Sequence, residues 1–144
     1  MDRNAESQVP ERKTLDYERL EIGEPLPSYE YLLTQEMLEQ YRQGVQDPDA
    51  RFPTIAVKAD IGAYHRKYED VGSVNARCAY YCYSPPVAGK RIRVTAWIAD
   101  KYVRREKPYI VTEAVSVDED GRLIDRVITH ELKRPREVGK KWER

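Results

Sequence analysis

From Val74 to Leu132 apolar and polar positions alternate with a period of two, broken only by turn residues, and the pattern predicts an antiparallel sheet. Val74, Ala76, Cys78, Tyr80 and Cys82 alternate with Asn75, Arg77, Ala79, Tyr81 and Tyr83 until Ser84-Pro85-Pro86 stops the strand. Arg91 to Val103 alternates next, with Ile92, Val94, Ala96 and Ile98 on one face and Arg91, Arg93, Thr95 and Trp97 on the other. Tyr109 to Val117 makes a third strand with Tyr109, Val111, Val115 and Val117 on one side. Asp118-Glu119-Asp120-Gly121 then supplies a hairpin turn in which Gly121 takes a positive φ. Leu123 to Leu132 returns as a fourth strand, with Ile124, Ile128, His130 and Leu132 sharing a face.

Upstream the period is helical. Thr34 is a good cap before a helix over Gln35 to Gln46, because its hydroxyl accepts an orphan backbone N–H of the first turn. Met37, Leu38, Tyr41 and Val45 follow at helical spacing, and Asp47-Pro48-Asp49 ends the helix because the residue before proline is pushed out of the helical region. A second helix opens at Pro53-Thr54, capped by Thr54, and runs to about Tyr68. Its stripe of Val57, Ile61, Tyr64 and Tyr68 lies against the sheet. Leu15 to Pro27 reads as an extended lead-in whose prolines cannot pair in a central strand, with a short strand through Tyr29, Tyr31 and Leu33 after it. Residues 1–13 lack apolar periodicity and read as a disordered arm; residues 135–144 form a basic tail broken by Pro and Gly. One domain over residues 14–134 remains, and long antiparallel strands after one central helix make it α+β.

Composition narrows the function classes. A chain of 144 residues suits a single core. Lys plus Arg balances Asp plus Glu at 25 each, so no field favours a nucleic-acid partner. No apolar run approaches the roughly 18 residues that span a bilayer, and the N-terminus is charged where a secretory signal is apolar, which predicts a cytoplasmic protein. Cys78 and Cys82 lie four apart in a strand, about 13 Å on one face at roughly 3.3 Å per residue, beyond disulfide reach. They read as buried small apolar residues. Two cysteines and two distant histidines match no metal-site spacing, and nothing in the chain calls for a cofactor.

The run Tyr80-Tyr81-Cys82-Tyr83-Ser84-Pro85-Pro86-Val87-Ala88-Gly89-Lys90-Arg91-Ile92 resembles the strand, proline, Val-x-Gly turn and following strand of the MaoC-like hydratase/dehydratase family. The resemblance continues through Tyr102 to Glu113 and Asp120 to Ile124; upstream, Phe52-Pro53-Thr54 is similar to the lead into that family's central helix and Leu20 to Glu24 to its opening. It covers about Leu15 to Pro135 and rests on the order of these motifs. The implied architecture is the hotdog fold, a central helix wrapped by a bent antiparallel sheet. The implied activity is acyl-thioester chemistry on acyl-CoA or acyl-carrier-protein substrates, in at least a dimer.

Active members use an Asp and a His five residues later to handle the water of an enoyl thioester, because hydration needs two positioned proton-transfer groups. Here Phe52 stands five residues after Asp47 and Thr54 five after Asp49, and the stretch between the first helix and Phe52 is short against the family. The resemblance therefore implies a non-catalytic subunit of a heteromeric enoyl hydratase/3-hydroxyacyl dehydratase, a homodimer or a heterodimer with another hotdog subunit. Two alternatives stay open: a stand-alone hydratase/dehydratase or thioesterase with another catalytic pair, and a lipid- or polyketide-binding module.

His65 and Asp60 are the candidates for such another pair. Their offset of five places them about 140° apart around a helix, so the side chains do not converge. His65 reads as a border histidine and His130 as a hydrogen-bonded strand residue. Arg104, Arg105 and Lys107 form a basic strand end able to grip the phosphates of CoA or a pantetheine carrier, with a solvated charge run as the simpler reading. Tyr80 reads as core, while Tyr81 and Tyr83 face outward or into a dimer interface. Lys140-Lys141-Trp142 is either free tail or packed on a partner.

Overall fold

The period-two stretch closes around a helix. The structure, a computed structural model, describes residues 12–53, 58–69 and 73–133. In chain order these form β1 (Lys13–Thr14), β2 (Pro25–Leu32), α1 (Gln35–Val45), α2 (Ala59–His65), β3 (Tyr68–Glu69), β4 (Val74–Cys82), β5 (Arg91–Arg104), β6 (Lys107–Asp118) and β7 (Leu123–Leu132). Five strands pair antiparallel in the order β2-β5-β6-β7-β4, and β1 pairs parallel with β3 beside them.

Cross-strand pairing aligns the inner-face side chains in rows. One row runs Leu26, Ala96, Ala114, Val127 and Tyr80 across all five strands. Its second and third members are alanines, and Ala59 and Ala63 of α2 are buried with them, so small residues on both partners let the helix lie close to the strands. The helix contacts β2, β5, β6 and β7. Beyond it, β4 remains an outer edge of the sheet. Leu15, Tyr17 and Leu20 of the lead-in join the same core.

Several expectations are met residue by residue. Thr34 Oγ1 accepts the Met37 N–H at 3.2 Å, and Gln46, in the left-handed conformation at φ 57°, closes α1 just before Asp47-Pro48. The α1 stripe reaches the protein only at its first turns: Leu38 is buried with Leu33, Ile92 and Ile124, whereas Val45 is exposed. Strand β2 is longer than the predicted run. It tolerates Pro25 because it is an edge strand and Pro27 because the ladder is irregular between Leu26 and Tyr29. Helix α2 is shorter than predicted. It ends at His65, a turn through Arg66 and Lys67 follows, and Tyr68 pairs with Lys13 in place of continuing the stripe. The predicted cap Thr54 and stripe residue Val57 lie outside the described residues, as do the C-terminal residues Lys140, Lys141 and Trp142.

Two corrections concern faces. Cys78 and Cys82 are exposed, not buried, because β4 is an edge strand. On β7 the side bearing Ile128, His130 and Leu132 is the outer one. Ser116 pairs with Asp125 and Val117 with Leu123, so Ile124 is the extra residue of a bulge and turns into the second core cluster. The inner side of β7 carries Asp125, Val127 and Thr129. Among the described residues no helix is long and apolar enough to cross a membrane.

Candidate functional site at the concave face of the sheet

Two inner-face rows are polar where the packing around them is apolar. The row Ile98, Thr112, Thr129 and Cys78 lies under the start of α2, and Asp60 points into it. Thr112 Oγ1 donates to Asp60 Oδ2 at 2.8 Å, and Asp60 is fully buried. Burial pushes the Asp60 carboxyl above the ordinary carboxylate range even though the Thr129 and Thr112 hydroxyls favour its ionised form.

The parallel row runs Tyr29, Val94, Ser116, Asp125 and Cys82. Tyr80 OH donates to Asp125 Oδ2 at 2.5 Å, and Asp125 is only 4% exposed. Burial raises the Asp125 carboxyl too, against the opposing effect of Tyr80 and Ser116. Burial also raises Tyr31, with the Asp125 charge adding to it, and the same charge reaches Tyr29. The Cys82 thiol is pushed up by burial and by Asp125, which disfavours the nucleophilic thiolate.

Linkage gives these acids a measurable signature. A carboxyl whose folded value lies above its unfolded value, about 3.9 for Asp, contributes stability that is complete below that value and is lost as pH rises through the folded one. Asp60→Asn cannot ionise. Relative to the wild type it should gain stability as pH rises from about 4 toward neutrality. Urea midpoints of the two proteins across that range check this, and a difference independent of pH would contradict it.

A cleft of about 270 Å³ opens between β2 and the start of α2, walled by Tyr29, Tyr31, Met37 and Ala59 with Lys58 and Arg66 at its rim. Arg66 lies 3.7 Å from the centre of the Tyr29 ring and donates to the Gly62 carbonyl at 3.0 Å. Tyr29 OH donates to the Ala59 carbonyl at 3.3 Å. Glycine at position 62 permits this, since a Cβ there would meet Tyr29 OH at 3.3 Å and Arg66 Nη1 at 3.4 Å.

The residues singled out in the sequence are dispersed. Asp60 starts α2 and turns into the sheet, whereas His65 ends α2 half-buried, its ring edge-on to Tyr64 at 5.4 Å. His130 sits on the outer face, 3.0 Å from Tyr102 OH through Nδ1, and burial together with Arg77 lowers its basicity. Arg104, Arg105 and Lys107 surround the tip of the β5–β6 hairpin, all exposed. Arg105 and Glu106 take φ of 51° and 63° there, the left-handed pair of a two-residue turn. Asp47 accepts the Asp49 N–H at 3.0 Å in the turn after α1, and Phe52 is exposed. Tyr80 packs against the core while Tyr81 and Tyr83 are exposed. Sequence reasoning missed Ser116, Asp125, Thr112 and Thr129. Thr112 and Ser116 lie on the even-numbered side of β6 and Asp125 and Thr129 on the odd-numbered side of β7, and alternation sends such polar positions to solvent. Among the described residues no group of three or more His, Cys, Asp or Glu is placed to hold a metal ion.

The architecture is shared with solved structures. A MaoC-like dehydratase from Rhodospirillum rubrum superposes with a TM-score of 0.64 at 11% identity, over 83% of this chain and 96% of that one. The chain has the hotdog fold. The hotdog R-hydratase PhaJ1 from Pseudomonas aeruginosa aligns at TM-score 0.63 and 12% identity, over 83% of this chain and 86% of that one. The HadBC complex from Mycobacterium tuberculosis, a 3R-hydroxyacyl-ACP dehydratase, aligns at 0.60 and 16%, over 83% and 99%. No protein-family model and no curated protein matches the chain. In this hotdog domain α2 is the central helix, and the polar rows lie between it and the sheet.

Proposed function

We propose that the chain is a hotdog subunit of acyl-thioester metabolism, acting on acyl-CoA or acyl-carrier-protein substrates as the non-catalytic partner in a heteromeric enoyl hydratase/3-hydroxyacyl dehydratase. One observation carries the reading. The chain has two histidines, and the inner-face acids are engaged by hydroxyls instead: Asp60 by Thr112, Asp125 by Tyr80. His130 is on the opposite face and His65 at the other end of α2 from Asp60. Hydration by an acid–imidazole pair requires both groups within hydrogen-bond reach of one substrate. In this reading a partner supplies them, and this chain shapes the acyl site.

The open edge β4 supports assembly. Among the described residues its backbone pairs on one side only, and a partner strand there would extend the sheet past Cys78, Tyr80 and Cys82. The basic hairpin tip of Arg104, Arg105 and Lys107 serves in this proposal as a phosphate contact for the carrier. Co-expression with a hotdog hydratase that has Asp and His five residues apart tests the reading. A stable complex by native mass spectrometry is the expected result. A chain that stays alone and binds no acyl-CoA would refute it.

A further inference from the structure

Lys58, Gly62 and Arg66 fall at intervals of four, the spacing that places side chains on one face of a helix, and they bring two cations to the side of α2 that meets β2. Glycine keeps that face open between them, where the Tyr29 ring comes in: a Cβ at position 62 would meet Tyr29 OH at 3.3 Å. The Arg66 guanidinium is held over the Tyr29 ring, 3.7 Å from its centre, and by the Gly62 carbonyl, which accepts from Nη1 at 3.0 Å. Both contacts fix its orientation and leave further N–H donors to use. Lys58 and Arg66 rim a cleft of about 270 Å³ whose walls are the Tyr29 and Tyr31 rings and the Met37 thioether. Among the described residues neither cation pairs with a carboxylate; Glu30, which also borders the cleft, stands 3.7 Å from Arg91. The cleft lies on edge strand β2 and the open edge β4 is the opposite outer strand of the sheet, so an assembly through β4 leaves it accessible.

We infer that this cleft is a binding site for a small aromatic carboxylate, its ring on Tyr29, Tyr31 and Met37 and its anionic end between Lys58 and Arg66. Two cations above an apolar recess suit a ligand with one apolar and one charged end. The planar fork of Arg66 matches a carboxylate through two parallel hydrogen bonds, Lys58 adds a point charge, and the Met37 sulfur gains from contact with a ring edge. Size restricts the class. The cleft falls just below the roughly 300–1,000 Å³ of drug-sized sites, enough for one ring and a short arm and too small for a CoA ester. The inference goes beyond the acyl-thioester reading and holds whether or not that reading does.

Titration calorimetry of 3-phenylpropionate on the full chain tests it, beside 3-phenylpropionamide, which keeps the ring without the charge, and acetate, which keeps the charge without the ring. The acid should bind at least tenfold tighter than either, the effect of a charge-assisted hydrogen bond or of a buried ring. Arg66→Gln and Lys58→Gln should each weaken it about tenfold, and because both side chains are exposed the variants should fold, which circular dichroism checks. Arg19→Gln, outside the cleft beside Asp16, should leave the affinity unchanged, as should excess butyryl-CoA. No binding of the acid, or equal affinity for the amide, would overturn the inference. Undiminished affinity in both cleft variants would refute the assignment to these cations. Competition by butyryl-CoA would put the acid in the thioester site, overturning the inference while supporting the acyl-thioester reading.

Discussion

Tyr64→Ala should destabilise the fold by about 3–5 kcal/mol, the range for deleting a large buried aromatic. Tyr64 is fully buried on the sheet side of α2, its ring 5.3 Å from that of Tyr68 and 4.2 Å from the Lys133 ammonium. Alanine there opens a cavity between helix and sheet that Ala63, Ala96 and Ala114 are too small to fill. A domain of ordinary stability holds about 5–15 kcal/mol, so this one truncation removes a large part of it. Val45→Ala is the control: half-exposed on α1, it should shift stability by no more than about 0.5 kcal/mol. Urea denaturation of the two variants checks the contrast. Similar losses at both sites would mean that α2 is not the helix on which the core is organised.

Lysine at both Cys78 and Cys82 should abolish partner association while leaving the protomer folded. Both thiols are solvent-exposed in the isolated chain, so the substitution should cost the monomer little. In an assembly that pairs through β4, the same positions flank the join, and bringing two added ammonium groups out of water there costs several kcal/mol. The expected result is at least a hundredfold weakening of the complex, measured by analytical ultracentrifugation or native mass spectrometry, with an unchanged urea midpoint. Undiminished association would place the interface elsewhere. Loss of folding would mean that β4 depends on these side chains within one protomer.

The sheet was legible because alternation and turn chemistry are local. The bounds of β7 and the cap at Thr34 follow from side-chain period and from one hydroxyl's reach. Which strand is an edge is not local. It depends on pairing order, so Cys78 and Cys82 looked like core residues on a strand that turned out to be outermost. The orientation of β7 was hidden for a related reason. Ile128 and Leu132 outweigh Asp125 and Thr129 in any hydropathy comparison, yet α2 covers the other side, where Thr112 and Tyr80 pair with acids that alternation would send to water. Polar residues buried beneath a helix carry no periodic mark. The absence of a His five residues after Asp47 or Asp49 is plain from the sequence, whereas the facing of Ser116 and Asp125 depends on the register of β6 and β7.

The most direct test of the account is crotonyl-CoA hydration by the purified chain, alone and then with a hotdog subunit that carries its own Asp and His. No turnover above background is expected from the chain alone, and turnover with the added subunit is expected to be lost when that subunit's histidine is replaced. Steady hydration by the isolated chain would contradict it.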